Sequence, residues 1–336
     1  MDTLHRMTMR IVIPGGSGQV GHMLARHFCT EGHEVTVLSR SPATGAPWQT
    51  IAWDGATAGA WQAALEGSDV CINLAGRSVN CRYNPANRAA ILNSRVDSTR
   101  ILGETIAALA RPPAVWLNAS TATIYRHELE RPNDELTGIL GGNEPGAPDT
   151  WNFSIQIAKA WEAAFAETPT PRTRKVALRS AMTFSPDPCG VFDVFLSLVR
   201  RGLGGTIGSG DQYVSWIHDD DYIRAIEFLI AHDSLDGPIN LASPNPLPNC
   251  EFQRILREAW GTQFGLPTFE WMVEVGTFLM RTESELVLKS RRVVPTRLLN
   301  AGFTFDHPTW SDAAHDLVAR WRAQQQRRHI EKWICR

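Results

Sequence analysis

Gly15-Gly16-Ser17-Gly18-Gln19-Val20-Gly21 is the stretch whose reading decides the fold. Just before it, residues 10–13 form a short apolar run of the kind a buried strand requires. Just after it, Val20, Leu24 and Phe28 recur at the spacing of one helix face. The G-x-x-G-x-x-G spacing between a strand and a helix answers three physical needs. These are a tight turn, close approach of backbone to a pyrophosphate, and packing of the helix on the strand. The helix start then offers backbone N–H groups and a partial positive charge to phosphates. A dinucleotide cradle is therefore expected on Gly15, Ser17, Gly18, Gln19, Val20 and Gly21.

Outward from the loop, short apolar runs alternate with longer amphipathic stretches. Strands are expected at 34–39, 50–53, 69–74, 114–118 and 175–179, and helices at 87–109 and 151–166. The proline- and glycine-rich residues 130–150 read as a long loop. In the second half, 213–218 and 239–242 read as strands and 220–232 as a helix. Alternation of this kind implies an α/β fold, a doubly wound parallel sheet of Rossmann type, with a smaller C-terminal substrate lobe. The boundaries expected are 1–182 and 211–245 for the nucleotide-binding domain and 183–210 and 246–318 for the lobe. A basic tail, 319–336, follows.

The second strand ends in Ser39-Arg40, about 20 residues past the loop, where NAD enzymes carry a carboxylate for the ribose hydroxyls. No Asp or Glu stands there, and a guanidinium pairs well with a 2′-phosphate. The cofactor expected is NADP. A merely solvated Arg40 leaves NAD open.

Composition bounds the rest. With 43% apolar and 20% charged residues the chain can bury a sizeable core. A net charge of −2 and a pI near 6.6 give no reason to expect nucleic acid as a partner. No window is apolar for long enough to span a bilayer, and residues 1–9 lack the apolar core of a secretory signal. A cytoplasmic protein with a small-molecule substrate and no membrane partner is expected, with a homo-oligomer left open. The six cysteines include no C-x-x-C pair, so no metal site and no disulfide framework is expected.

Several further segments make the chain resemble the extended short-chain dehydrogenases, and among them an atypical branch called the epimerase family, nucleotide-sugar-epimerase-like. They are Leu38-Ser39-Arg40-Ser41-Pro42, Trp53-Asp54-Gly55, Asn73-Leu74-Ala75-Gly76, Ser94-Arg95, Thr99-Arg100 and Trp161-Glu162. In the second half they are Gly202-Leu203-Gly204-Gly205, Gly208-Ser209-Gly210, Gln212 and Ser215-Trp216-Ile217-His218. The C-terminal segment Val294-Pro295 with Leu298 and Gly302-Phe303 completes the likeness. The resemblance assigns cofactor contacts to the glycine loop, to Ser39 and Arg40, and to Leu74, Ala75 and Gly76. Arg77 stands where relatives often carry Glu, and Pro14 where they carry Thr.

Extended dehydrogenases use a Ser or Thr after the fifth strand and a Tyr-x-x-x-Lys pair on the next helix, the tyrosine moving the proton that accompanies hydride transfer. By resemblance Thr121 is nearest the hydroxyl position, with Ser120 beside it on the substrate side. None of the four tyrosines stands four residues before a lysine. Counting back from Glu162 puts Ser154 and Ala158 at the two positions. Tyr125 offers a phenol in the loop after the fifth strand. Ser209 and Gln212 are substrate-side by the same analogy, and His218 reads as structural. Two functions stay open: an NADP-dependent oxidoreductase or epimerase-like enzyme, and a dinucleotide-binding sensor or scaffold without turnover.

Overall fold

The computed structural model describes residues 8–42, 45–188, 190–268 and 285–334. Cys189, Cys335 and the tail side chains beyond 327 lie outside the described residues.

The first strand, β1 (Arg10–Pro14), buries four of its five residues and feeds the glycine turn into α1 (Gln19–Thr30). Then come β2 (Glu34–Ser39), β3 (Gln49–Ala52), β4 (Val70–Asn73), α2 (Pro85–Ala108), β5 (Val115–Thr121), α3 (Asp149–Glu167) and β6 (Arg174–Ser180). Every residue of β4 is buried, as a strand covered on both faces requires. Helix α2 starts at Pro85 because Asn84 caps it, its side chain accepting from Asn87 N at 2.8 Å, with proline at the first helical position.

Seven strands form the main sheet in the order β10-β6-β5-β4-β1-β2-β3, where β10 is Gly237–Leu241. The pairs β1–β2, β1–β4, β2–β3 and β4–β5 are parallel. Strand order reverses between β1 and β4, the switch point where such sheets bind ligands. The expected doubly wound architecture is present. Strands β3 and β10 form its two edges.

The remaining elements are β7 (Met182–Phe184), α4 (Val191–Arg200), β8 (Tyr213–Val214), β9 (Trp216–His218), α5 (Asp219–Ala231), β11 (Leu247–Pro248), α6 (Asn249–Trp260), α7 (Glu285–Leu288), α8 (Thr296–Asn300) and α9 (Trp310–Ile334). The single strand expected at 213–218 is in fact two. At Ser215 the hydroxyl donates to Arg291 O and accepts from Val293 N. On either side, β8 pairs antiparallel with β11 and β9 parallel with β7.

The chain divides into two compact units. One holds the residues up to Ile124 together with Ser154–Arg179 and Ile223–Ile239; the other holds Tyr125–Phe153, Ser180–Tyr222 and the chain from Asn240. In the first, Val12, Leu38, Trp53, Trp61, Leu102, Trp116 and Phe165 share a core. In the second, Phe184, Phe192, Phe252, Trp216 and Trp310 form an aromatic core, with Phe252 and Trp310 stacked at 4.2 Å. Apolar aromatics of this size supply much burial per residue.

Candidate functional site

The glycine turn is stitched to both neighbouring strands. Gly15 N donates to Leu38 O at 2.9 Å, and Leu74 N donates to Pro14 O at 2.8 Å. Gly15 has φ +73°, and a Cβ there would lie 2.5 Å from the backbone of Ala75. A Cβ on Gly21 would lie 2.4 Å from Gly16 Cα, so this glycine lets the helix lie on the turn. At Gly18 the same construction meets nothing within 4 Å. Gly18 is also the N-cap of α1; it supplies no side-chain cap, and the first turn holds no acidic residue. The turn is thus tight where it faces protein and open where the helix presents its positive end, a cradle that fits a pyrophosphate. Ser17 and Gly18 are exposed, and Gln19 and Val20 half-buried.

At the end of β2, Ser39 is buried, and its hydroxyl accepts from Ser41 N at 3.2 Å. Arg40 is exposed and, among the described residues, has no ion-pair partner. It borders an open depression of about 370 Å³ with Trp53, Asp54, Thr57, Gly59 and Trp61. Asp54, the carboxylate in that lining, accepts from Ala56 N, Thr57 N and the Thr57 hydroxyl, which hold it down at about pKa 2. Among the described residues, Arg40 is thus the unpaired cation of this depression.

A pair of amides locks the end of β4 to the middle of β5. Asn73 and Asn118 are opposite in register, and Asn73 Nδ2 donates to Asn118 Oδ1 at 2.7 Å. Asn73 Oδ1 accepts from Ala75 N, turning the chain into Ala75 and Gly76. Leu74 is half-buried, Ala75 buried and Gly76 exposed. At the end of β5, Ser120 donates to Glu162 Oε1 at 2.6 Å, and Arg179 grips the same carboxylate at 2.8 and 2.7 Å. Ser120 is thereby committed to the α3–β6 frame. Thr121, next along the strand, is half-buried, and its hydroxyl accepts from Thr123 N at 3.2 Å.

On α3, Ser154 and Ala158 are both buried. The Tyr83 hydroxyl, from the segment before α2, stands 3.5 Å from Ser154 Oγ. On α2, Arg95 donates to Arg77 O and Ile91 O and lies 5.1 Å over the Trp161 ring. Its guanidinium carbon would be 3.2 Å from a Cβ on Gly76. Arg95 has no carboxylate partner among the described residues. Burial lowers its pKa to about 10, and the Tyr83 phenol acts in the opposite sense. The sequence reading passed over Tyr83 and quoted Arg95 without a role. Tyr83 and Ser154 are 71 positions apart, and no local spacing announces the pair.

The second unit holds the other candidates. Tyr125 is 2% exposed and donates to Asn240 Oδ1 at 3.0 Å, so its proton sits on a bond within the unit. Gln212 is buried, its amide donating to Ile207 O at 2.8 Å and Val287 O at 3.3 Å. Ser209 is exposed, and its hydroxyl accepts from Asp211 N. His218 is buried, bonded through Nε2 to Asp316 at 3.0 Å and stacked on His307 at 3.7 Å. Burial and His307 push it down to about pKa 4. Sequence reading foresaw no metal centre, yet His218, Asp220, His307 and Asp316 bring donor atoms within 4.8 Å of one another. Arg320 already bonds Asp219, Asp220 and Asp316, and the two imidazoles lie face to face instead of converging. The cluster is an ionic clasp between the start of α5 and α9.

A parallel sheet with this strand order and a glycine turn at its switch point defines a Rossmann-type protein of the short-chain dehydrogenase/reductase kind. Residues 11–242 match the NAD dependent epimerase/dehydratase family, and residues 268–317 match a domain of unknown function, DUF1731. The chain belongs to the NAD dependent epimerase/dehydratase family, in the branch that carries this C-terminal segment. It is 31% identical to the bovine epimerase family protein SDR39U1, over 93% of this chain and all of that one. It is 30% identical to an epimerase family protein of Staphylococcus epidermidis, over 92% of this chain and 99% of that one. Human epimerase family protein SDR39U1, crystallised with NADPH, superposes with a TM-score of 0.80 at 28% identity, covering 93% of this chain and 99% of that one. No helix among the described residues is long and apolar enough to cross a membrane.

Proposed function

We propose that this chain holds NADP on the Gly15–Gly21 turn and acts as an oxidoreductase or epimerase-like enzyme on a small molecule in the cytoplasm. The observation that carries the reading is the turn itself, closed at Gly15 and Gly21 and open at Gly18, above an uncapped helix start. In this proposal the backbone of Ser17, Gly18, Gln19 and Val20 holds the pyrophosphate. Arg40 holds the 2′-phosphate, with Ser39 shaping the strand end beneath it, and Leu74, Ala75 and Gly76 line the nucleotide side. The relative crystallised with NADPH supports the choice of dinucleotide.

A bound nicotinamide supplies hydride exchange at a carbonyl or carbinol carbon. The protein's part is to orient that carbon and to manage the proton on its oxygen. Thr121, at the end of β5, is the hydroxyl proposed to hold the reacting oxygen. Ser120 is proposed to set the strand end through Glu162 and Arg179. Ser209 and Gln212 keep their proposed substrate-side role. Tyr125, with its proton on Asn240, is the weaker choice for proton transfer.

A second reading, a dinucleotide-binding sensor or scaffold, is supported by the sequence count from Glu162, which puts Ser154 and Ala158 at the positions of the family's tyrosine and lysine. Calorimetric titration of the stripped protein with NADPH and NADH tests the first step. NADPH is expected to bind more tightly. Arg40→Ala should reduce that preference by about 10- to 100-fold, the worth of charge-assisted bonds to one phosphate. If neither dinucleotide binds, both readings fall.

A further inference from the structure

We propose that Arg95 and Arg77 form an oxyanion site at the carboxyl end of β4, and that the substrate of this protein carries a carboxylate or phosphate group. The site rests on the dinucleotide reading above and names the class of substrate that reading leaves open.

The chain between Asp69 and Asp97 carries charge of one sign. Arg77, Arg82, Arg88 and Arg95 stand there, with no Asp or Glu among them. For two of the four, the fold brings no carboxylate from elsewhere. Among the described residues, the Arg77 and Arg95 side chains hydrogen-bond only to neutral oxygens. Arg95 Nη1 donates to Arg77 O and Ile91 O, both at 3.0 Å, and Arg77 Nη2 donates to Asn87 Oδ1 at 2.8 Å. Nε and Nη2 of Arg95 have no protein acceptor among the described residues. Neutral acceptors position a guanidinium without cancelling its charge. The open side of its planar fork matches the two oxygens of a carboxylate or phosphate.

Both guanidiniums sit on a stapled frame. From α2, the Ser94 hydroxyl accepts from Arg77 N at 2.9 Å, Asn87 Nδ2 donates to Arg82 O at 2.7 Å, and Arg88 Nε donates to Tyr83 O at 2.8 Å. Arg95 is half-buried over the Trp161 ring, and Trp161 is itself held by a bond to Thr99 at 3.0 Å. The missing Cβ of Gly76 lets the Arg95 guanidinium come close. Donors fixed before an anion arrives lose little freedom on binding it.

Position separates this site from the phosphates of the dinucleotide. In sheet order β2 and β4 flank β1 on opposite sides. A dinucleotide with its 2′-phosphate on Arg40, after β2, runs across the glycine turn toward β4. Gly76 and Arg77 follow β4 directly after Ala75, whose backbone touches the Gly15 turn. Thr121 ends β5, the next strand along. Arg77 and Arg95 therefore stand on the nicotinamide half of the crevice, where a substrate lies.

The test is calorimetry on the full chain saturated with NADPH, so that the cradle for the dinucleotide phosphates is filled. Three probes share one ring: benzoate, phenyl phosphate and the neutral benzamide. At least one anion should bind about 10-fold or more tightly than benzamide; tighter benzoate assigns a carboxylate substrate, tighter phenyl phosphate a phosphate. Arg95→Gln should weaken the preferred anion by about 10- to 100-fold, and Arg77→Gln, on the exposed rim, by about 2- to 5-fold. Both variants should bind NADPH as the wild type does. Should Arg95→Gln fail to fold, Arg95→Lys is read in its place; it keeps the charge, loses the fork, and should weaken the anion by about 10-fold. Benzamide binding as well as both anions, or an anion indifferent to the change at Arg95, overturns the site and leaves the cofactor reading intact. NADPH affinity that falls together with the anion's in Arg95→Gln assigns the guanidinium to the dinucleotide and overturns the substrate class. A wild type that fails to bind NADPH overturns the cofactor reading, and the substrate role falls with it.

Discussion

Gly18 and Gly21 are three residues apart and do opposite work. A methyl group on Gly21 collides with Gly16 backbone, whereas one on Gly18 projects into open space from a φ of −80° that any residue adopts. Gly21→Ala should therefore lower stability by about 1–3 kcal/mol, as overpacking does, and lose dinucleotide along with it. Gly18→Ala should melt like the wild type and still bind NADPH poorly, because its methyl occupies the phosphate position. Thermal melts and calorimetry on the two variants separate these effects. Equal NADPH affinity in Gly18→Ala would sink the idea that phosphate lies on that backbone.

At the level of elements, the Ser120–Glu162–Arg179 frame joins β5, α3 and β6. Arg179 is 6% exposed and grips Glu162 through two nitrogens. Replacing Arg179 by Met leaves a half-buried carboxylate with only a serine, and should cost about 1–3 kcal/mol in urea unfolding. Changing Glu162 to Gln as well should recover a good part of that loss. A double variant no more stable than the single would mean that the damage lies in packing and not in charge. The strands of this frame were legible as short apolar runs, because they are covered on both faces, and its helix from apolar periodicity along one face. Strand β5 ran three residues further than its apolar core suggested, to Thr121, since polar residues at a strand's end carry no periodic signal. The break at Ser215 was illegible for a related reason. It depends on Arg291 and Val293, 76 and 78 positions away. Tyr83 was missed because its partners on α2 and α3 meet it only in the folded chain, whereas the glycine turn is contiguous and wears its chemistry in its spacing.

For the whole molecule, stability should depend on pH through Lys289. This side chain is 2% exposed, and burial with Arg291 nearby lowers its pKa from 10.5 to about 7, against the pull of Glu285 and Glu144. Between those two pH values the unfolded chain binds the proton and the folded chain does not, so stability rises with pH across that window. Below about 7 both states are protonated and the contribution is flat. Lys289→Met should remove this slope, seen as urea midpoints that differ less between neutral and alkaline buffer than in the wild type. A slope unchanged in the variant would assign it to other groups.

The two ends of the main sheet carry a consequence for how copies of this chain behave when crowded. Edge strand β3 is only four residues long and follows Pro47, and edge strand β10 carries Pro238 at its second position. A proline has no N–H to offer an incoming strand, and a short edge gives little length to template one. Both margins are thus blunt, and the sheet is guarded against growing by edge-to-edge addition into fibrous aggregates.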